Sequence, residues 1–528
     1  MDVASVPRPT DAPSPPASSS RGVRRLWLYG AGKIGILASL ALRYPLRGND
    51  DELQDIGQMS SYGLSEFVWY VAAVAALFAL YLLALRESRR LAARQALPPV
   101  FGCGAALAAV MTWMYPVTAT DNFIYFVSAR LLAVYHANPM TTYPQEFAET
   151  DPLIWFAGSW QDDLSPYGPL WNLIAVPISW LAGDHPGVAV FGFKGLSAVA
   201  LIAGGWIITR ALHIARPADA ASGALLYLWN PLVLWEGIGS GHNDTVLMVP
   251  VLLTFYAWVK RRDGLVLPLL ILSALIKFAT LPLVPLAAIA LWRRDGERRR
   301  RQDLIVNSII LSGVALLVGF FPFYDLAAVR HILTIQNDML LHSPVQLATN
   351  LLEERYGFEQ VRAWSRGVGQ AILILTIALQ AAALWQRPGL LPRAAFDAMC
   401  VVLFVATWVR PWYGIWVVAL AALLPWGWPA WRMVAWSAGG LALYALMIWI
   451  WHWWPTDIQT IHNLATVVMF GPFLAVLLAE VITRTRRSFG RGRPEADLAS
   501  SCATNDPAPA VLGVALPGPF RRPRSKQR

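Results

Sequence analysis

Uncharged apolar runs of about 20 residues, the length a helix needs to cross the hydrocarbon core of a bilayer, recur along this chain and dictate its fold class. The clearest lie at 67–85, 98–116, 304–323, 367–385, 411–425, 433–451 and 464–479. Others, each carrying one charge or a proline, lie at 188–209, 220–235, 245–259, 264–276, 278–292 and 396–409. A first run at 26–44 follows Arg24 and Arg25, contains Lys33 and lacks a small-residue cleavage site, so it reads as a retained anchor. Together the runs predict an all-α polytopic membrane protein with about fourteen transmembrane helices. Only 14% of residues are charged, against roughly 25% in soluble domains, which leaves no second reading of the fold class.

Charge orders the connectors. Those rich in Lys and Arg, at 86–94, 210–216, 260–262, 293–301 and 484–493, are expected to face the cytoplasm. The acidic or mixed ones, at 50–55, 121–184, 236–244, 325–366 and 451–463, are then expected outside. This threading puts both termini in the cytoplasm. It also requires the apolar stretch 169–181 to be a re-entrant or juxtamembrane helix on the outer face, and makes 122–136 an amphipathic helix in the interface. Residues 1–23 are rich in Ser, Pro and Ala, and 484–528 in Arg and Pro. Both read as disordered cytoplasmic tails, flanking N-terminal transmembrane helices at 24–97 and a larger helical domain at 98–483. The net charge of +10 therefore reports membrane topology and contact with membrane lipids, with no nucleic acid partner implied. Cys103, Cys400 and Cys502 form no disulfide framework, and no His/Cys/Asp spacing resembles a metal site. The site calls for no certain cofactor, and a divalent-ion requirement stays open.

The informative polar residues fall in the outer connectors. Asp121 directly follows a span, and Asp162 and Asp163 precede Tyr167 and the re-entrant helix. Asn230-Pro231 interrupts an apolar run that ends in Glu236 and Gly239-Ser240-Gly241-His242-Asn243-Asp244, while Lys277 and Arg410 occupy tight outer turns. Ionisable groups at membrane depth are costly and are functional candidates by default. A carboxylate can take the proton from an attacking hydroxyl while Lys, Arg or His stabilises a departing phosphate, so the set suits group transfer from a phosphate-linked donor. Bland roles compete: Asp121 suits a helix cap as well as a base, Asp162 and Asp163 suit a solvated loop, Lys277 and Lys194 suit snorkelling, and the tryptophans around Arg410 suit an interfacial belt. His331, His342 and His452 suit either phosphate donors or ordinary loop residues.

The sequences Asp121-Asn122-Phe123-Ile124-Tyr125, Ser165-Pro166-Tyr167-Gly168-Pro169-Leu170, Asn230-Pro231-Leu232-Val233-Leu234, Gly241-His242-Asn243-Asp244 and Ala274-Leu275-Ile276-Lys277 occur in this order. Jointly they resemble the polyprenol-phosphate-mannose-dependent α-1,6-mannosyltransferases of bacterial lipoglycan synthesis, members of the GT-C class of membrane glycosyltransferases. The resemblance extends from about 98 to about 413 and makes 98–483 a GT-C-like catalytic domain. It implies a site facing away from the cytoplasm and an inverting single displacement, with mannose moving from a polyprenyl-phosphate sugar donor to a glycan or glycolipid acceptor. It further implies Asp121 as general base, Tyr167 and the re-entrant helix shaping the acceptor groove, His242, Asn243, Asp244 and Lys277 bordering the donor sugar and phosphate, and Arg410 as a further phosphate partner; Tyr125, Asp162, Asp163, Glu236 and Tyr413 join them as substrate-binding candidates, Glu236 standing where the family pattern has a histidine or an apolar residue.

Two other readings stand beside the enzyme. A flippase or transporter of a lipid-linked sugar would use the same groups to bind the headgroup without breaking a bond, but needs polar groups through the bilayer and often shows an internal repeat, which this chain lacks. A membrane scaffold with a basic tail explains Arg484 to Arg493 and leaves the outer cluster unexplained.

Overall fold

The protein is described by a computed structural model that covers residues 17–294, 298–323 and 341–490. His331 and most of both expected tails lie outside the described residues. Every regular element among the described residues is helical, and the only β pairing there is two isolated bridges. By contacts, the described residues up to Leu478 form one compact unit, and those from Ala479 to Gly490 fall outside it.

Eight described helices are long and apolar enough to cross a membrane, among them Leu64–Ser88, Ala93–Thr112, Pro186–Ala215 and Phe358–Gln386. Four further apolar helices are shorter: Pro169–Ala182, Asp244–Val259, Asp263–Ile276 and Pro411–Ala422. Where the sequence leads one to expect about fourteen spans, the described residues thus hold eight long apolar helices and several short or broken ones. The run at 220–235 shows why. Pro231 lacks the N–H that would continue the helix, so Ala220–Leu228 ends, and Asn230 Oδ1 accepts from the N–H groups of Leu232 at 3.0 Å and Val233 at 3.2 Å. A π-helical turn, Val233–Gly239, follows. Broken helices survive at membrane depth only where the freed backbone groups find partners in the protein or line a cavity. Here Lys33, wholly buried, donates to Trp229 O at 2.7 Å.

The helix expected to lie amphipathically at 122–136 is observed as Asp121–Tyr135, but it is buried around its circumference from Asn122 to Ala129. It packs against Pro169–Ala182 and Pro186–Ala215. Its Arg130 is held by ion pairs to Asp151 and Asp184 instead of meeting lipid headgroups. Burial alone would raise the Asp151 carboxyl, yet Arg130 and the Leu153 N–H hold it below its ordinary value. The Pro169–Ala182 helix enters at Gly168, whose N–H donates to Ile276 O at 3.0 Å. A Cβ at Gly168 would lie 2.1 Å from Leu275 O, so only glycine permits this helix to sit against the turn that carries Lys277.

The basic connectors gather away from the cavity described next. Arg25 and Arg90 meet Glu87, Arg89 stacks on Trp426, Arg216 binds Leu423 O, and Arg294 binds Trp258 O and Asp263. The N-terminal helices pack onto the rest of the first unit through buried tyrosines: Tyr70 Oη donates to Leu441 O and Tyr81 Oη to Leu226 O, each at 2.7 Å.

Candidate active site

A cavity of about 360 Å³ opens where the connectors that carry Asp55, Asp121, Lys277 and Arg410 meet. Asp121, Tyr167, Lys277, Arg410 and Tyr413 line it, together with Trp160, Trp408 and Trp412 and with Gln54, Asp55 and Gln58 at its rim. Five of the residues singled out from sequence therefore share one chamber.

Asp121 is the first residue of its helix and follows Thr120, which occupies the cap position without a side-chain cap bond. Its carboxylate does not cap. Oδ1 accepts from Tyr167 Oη at 2.8 Å, and the side chain retains 19% exposure to the cavity. Burial first, and then the Asp121 carboxylate, push the Tyr167 phenol well above its ordinary value, so Tyr167 is a fixed donor. Lys277 lies across the same chamber wall. Its Nζ donates to Asp244 Oδ1 at 3.1 Å and stands 4.7 Å from the centre of the Tyr413 ring and 5.4 Å from that of Trp416. Burial pulls the Lys277 ammonium down, but Asp244 more than offsets it and the net shift is upward. Asp244 opens the Asp244–Val259 helix, where the positive end of the helix dipole favours a carboxylate, and Trp416 Nε1 also donates to it at 2.5 Å. Among the described residues Arg410 has no carboxylate pairing of this kind: its guanidinium lies 4.6 Å from the centre of Trp408 and 5.5 Å from that of Trp412. Guanidinium over indole leaves the N–H edge free for a planar oxyanion.

Other expectations change place. Asp162 and Asp163 are exposed and do not line the cavity, which fits the solvated-loop reading. Glu236, His242, Asn243 and Asp244 are wholly buried and sit beneath the chamber instead of bordering it. Tyr125 is buried as well; its Oη accepts from the Asn243 N–H at 3.3 Å, and its ring meets Tyr167 edge-on at 4.9 Å. Lys194 does not snorkel. It is fully buried and donates to Met114 O, tying the Pro186–Ala215 helix to the segment that leads to Asp121. His452 stacks on Tyr62, while His342 is buried beside His462 and is pushed down to about 2 by burial and then by Arg410, which keeps it neutral.

The Asp121 and His242 loops are locked together. Asn122 Nδ2 donates to Ser240 O at 2.6 Å, and the hydroxyls of Thr118 and Ser240 are 2.9 Å apart. Gly241 turns with φ +66°, and a Cβ there would stand 2.4 Å from the Asn122 amide. Gly241→Ala is expected to cost about 1–3 kcal/mol through left-handed strain and this clash, seen as a lower midpoint of thermal unfolding in detergent. An unchanged midpoint would show that the two loops yield independently.

Sequence reasoning missed the rim residues 54–58 and the tryptophans as site components. Asp55 caps the Ile56–Met59 turn in a reciprocal capping box with Gln58, a pattern readable in the sequence. Among the described residues no group of three or more His, Cys, Asp or Glu side chains could hold a metal ion.

Many apolar helices with an ionisable chamber at their connectors define a multi-pass membrane protein with a polar site. Residues 31–293 match the family described as Alpha-(1->6)-mannopyranosyltransferase, N-terminal domain. That region includes Asp121, Tyr167, His242 and Lys277; Arg410 and Tyr413 lie beyond it. The chain is 25% identical over 364 residues to Alpha-(1->6)-mannopyranosyltransferase A of Mycobacterium tuberculosis, covering 63% of this chain and 66% of that protein. It is 28% identical over 166 residues to the A enzyme of Corynebacterium glutamicum, covering 30% of this chain and 31% of that protein. To the B enzyme of the same organism it is 29% identical over 148 residues, covering 26% of this chain and 24% of that protein. The chain thus spans just under two thirds of the length of the first relative and a third or less of the other two.

Proposed function

We propose that this protein is a membrane mannosyltransferase that moves mannose from a polyprenyl-phosphate carrier to a hydroxyl of a glycan or glycolipid by one inverting displacement. The observation that carries the reading is the meeting of the Asp121 carboxylate with two cations, Lys277 and Arg410, on a single cavity. Asp121 takes the acceptor hydroxyl's proton as its oxygen attacks the anomeric carbon. Tyr167 holds Oδ1, and among the described residues Oδ2 carries no hydrogen bond. Arg410 and Lys277 receive the negative charge that grows on the departing phosphate. The aromatic wall of Trp160, Trp408 and Trp412 gives sugar rings apolar faces to lie on. The site faces outward and both termini lie in the cytoplasm, in keeping with the distribution of basic connectors.

A flippase of a lipid-linked sugar is not favoured, because the relatives are named as transferases. The protein purified in detergent, where transport has no meaning, is expected to consume polyprenyl-phosphate-mannose and elongate a short α-mannoside. Folded protein that consumes no donor would overturn the mannose assignment; other lipid-linked sugars would then be tried, and their failure too would return the flippase reading.

A further inference from the structure

Beneath Asp121 lies a pair of side chains with no stated task. His242 and Glu236 are both 0% exposed, and His242 Nε2 is 3.1 Å from Glu236 Oε2. On the other edge of the same ring, His242 Nδ1 is 3.7 Å from Asp121 Oδ1. Among the described residues none of the four polar atoms of the pair finds a partner in hydrogen-bonding alignment, although all are sealed from solvent. Buried polar groups are nearly always satisfied, and each exception calls for an explanation. Leaving two ionisable side chains in this state costs free energy that a merely structural site would avoid with apolar residues of the same shape.

The surroundings fix the geometry. Trp412 stacks on the His242 ring at 3.8 Å and 18°, which sets the imidazole plane so that one nitrogen faces each carboxylate. Glu236 stands in the π-helical turn, which the break at Asn230-Pro231 precedes, and its backbone O accepts from the His242 N–H at 3.1 Å. Arg410, Tyr70 and Tyr444 are the other titratable groups whose charge bears on this pair. Catalytic hydrogen bonds are often long before substrate binds and tighten in the complex.

We propose that His242 and Glu236 form a proton relay behind Asp121, which carries the acceptor's proton out of the chamber and returns it to the leaving phosphate. This rests on Asp121 being the general base. In the starting state Asp121 and Glu236 are carboxylates and His242 is neutral, protonated on Nε2. The acceptor O–H gives its proton to Asp121 as its oxygen forms the bond to the anomeric carbon. The bond from that carbon to the phosphate oxygen breaks, and its electron pair leaves with the phosphate. After a half-turn of the Asp121 carboxyl, its proton passes to His242 Nδ1 while the Nε2 proton passes to Glu236. Asp121 is again a carboxylate, Glu236 is a neutral acid, and no charge has moved into solvent. The phosphate monoester formed is more basic than the diester consumed, with a second pKa of about 6. It takes the proton back along the same path, so that acceptor and donor yield glycoside and protonated phosphate. Glu236 and His242 act through Asp121 and are positioning residues, not groups that touch the sugar.

The test compares wild type with Glu236→Gln, which keeps the shape but cannot accept the proton, and with His242→Gln. Rates are measured on the folded fraction recovered by gel filtration, in mixtures of H2O and D2O. Glu236→Gln is expected to lower kcat by about a hundredfold, the low end of what a positioned proton-transfer group contributes, with the donor KM little changed. It is also expected to turn a curved dependence of rate on deuterium fraction into a linear one. His242→Gln should do the same, so that misfolding of one variant leaves the other to decide. An unchanged kcat and curvature, or a raised donor KM alone, would overturn the relay. Full transfer by Asp121→Asn would instead defeat the base assignment, a separate failure.

Discussion

Replacing Asp121 by Asn is expected to abolish sugar transfer, lowering kcat by about 10²- to 10⁴-fold, the contribution of a positioned general base. The amide preserves the shape of the carboxylate and can still accept from Tyr167 Oη, which stands 2.8 Å from Oδ1 in the native site. What it cannot do is take a proton. Because Asp121 is the first residue of its helix and does not cap it, the variant should insert and fold as wild type. It should also retain donor binding, since Arg410 and Lys277 are untouched. The measurement is turnover of polyprenyl-phosphate-mannose with an α-mannoside acceptor, paired with donor binding by the same preparation. A loss smaller than about tenfold would be too little for a base and would remove Asp121 from that role.

The second large effect concerns Lys277. Its ammonium is the cation that compensates Asp244, a carboxylate with no exposure at all. Truncating one member of a buried pair leaves a bare charge and typically costs about 3–5 kcal/mol. Lys277→Met is therefore expected to depress the unfolding midpoint and recovery sharply, and to give no transfer. The double variant Lys277→Met with Asp244→Asn removes both charges, and Trp416 can still donate to the amide oxygen. It should recover most of the stability but not the transfer, because the phosphate would still lack one of its two cations. Recovery of both would show that Lys277 serves only to hold Asp244, leaving Arg410 to meet the phosphate.

Much of the chamber was legible because the chain places its polar residues where apolar runs stop. Asp121, Tyr167, Lys277, Arg410 and Tyr413 each stand at such an end, and all five line the cavity. Depth was not legible. His242 and Glu236 look the same in sequence whether they border a cavity or lie under it. The difference is made by Trp412, brought back from 170 positions further along to cover the imidazole. Trp412 and Trp416 fit an interfacial belt by composition, yet one stacks on His242 and the other donates to Asp244. Asp162 and Asp163 failed for the opposite reason, since a charged pair in a connector carries no mark of the direction it faces. The place where a helix breaks was only partly legible. Hydropathy averages over Asn230-Pro231, whereas the backbone cannot pass a proline without losing a hydrogen bond.

Lys33 and Lys194, both without any exposure, bear on the order in which this chain is assembled. A lysine at the centre of a membrane helix raises its insertion cost by about 2.5–3.5 kcal/mol on translocon scales. Lys33 finds its acceptor at Trp229, synthesised 196 residues later, whereas Lys194 finds Met114, already made 80 residues before. The helix carrying Lys194 can thus be neutralised as it emerges. Lys33, in the Ala17–Arg43 helix, gains its acceptor only once the chain has been made as far as the Asn230-Pro231 break, whose neighbouring Trp229 offers the carbonyl.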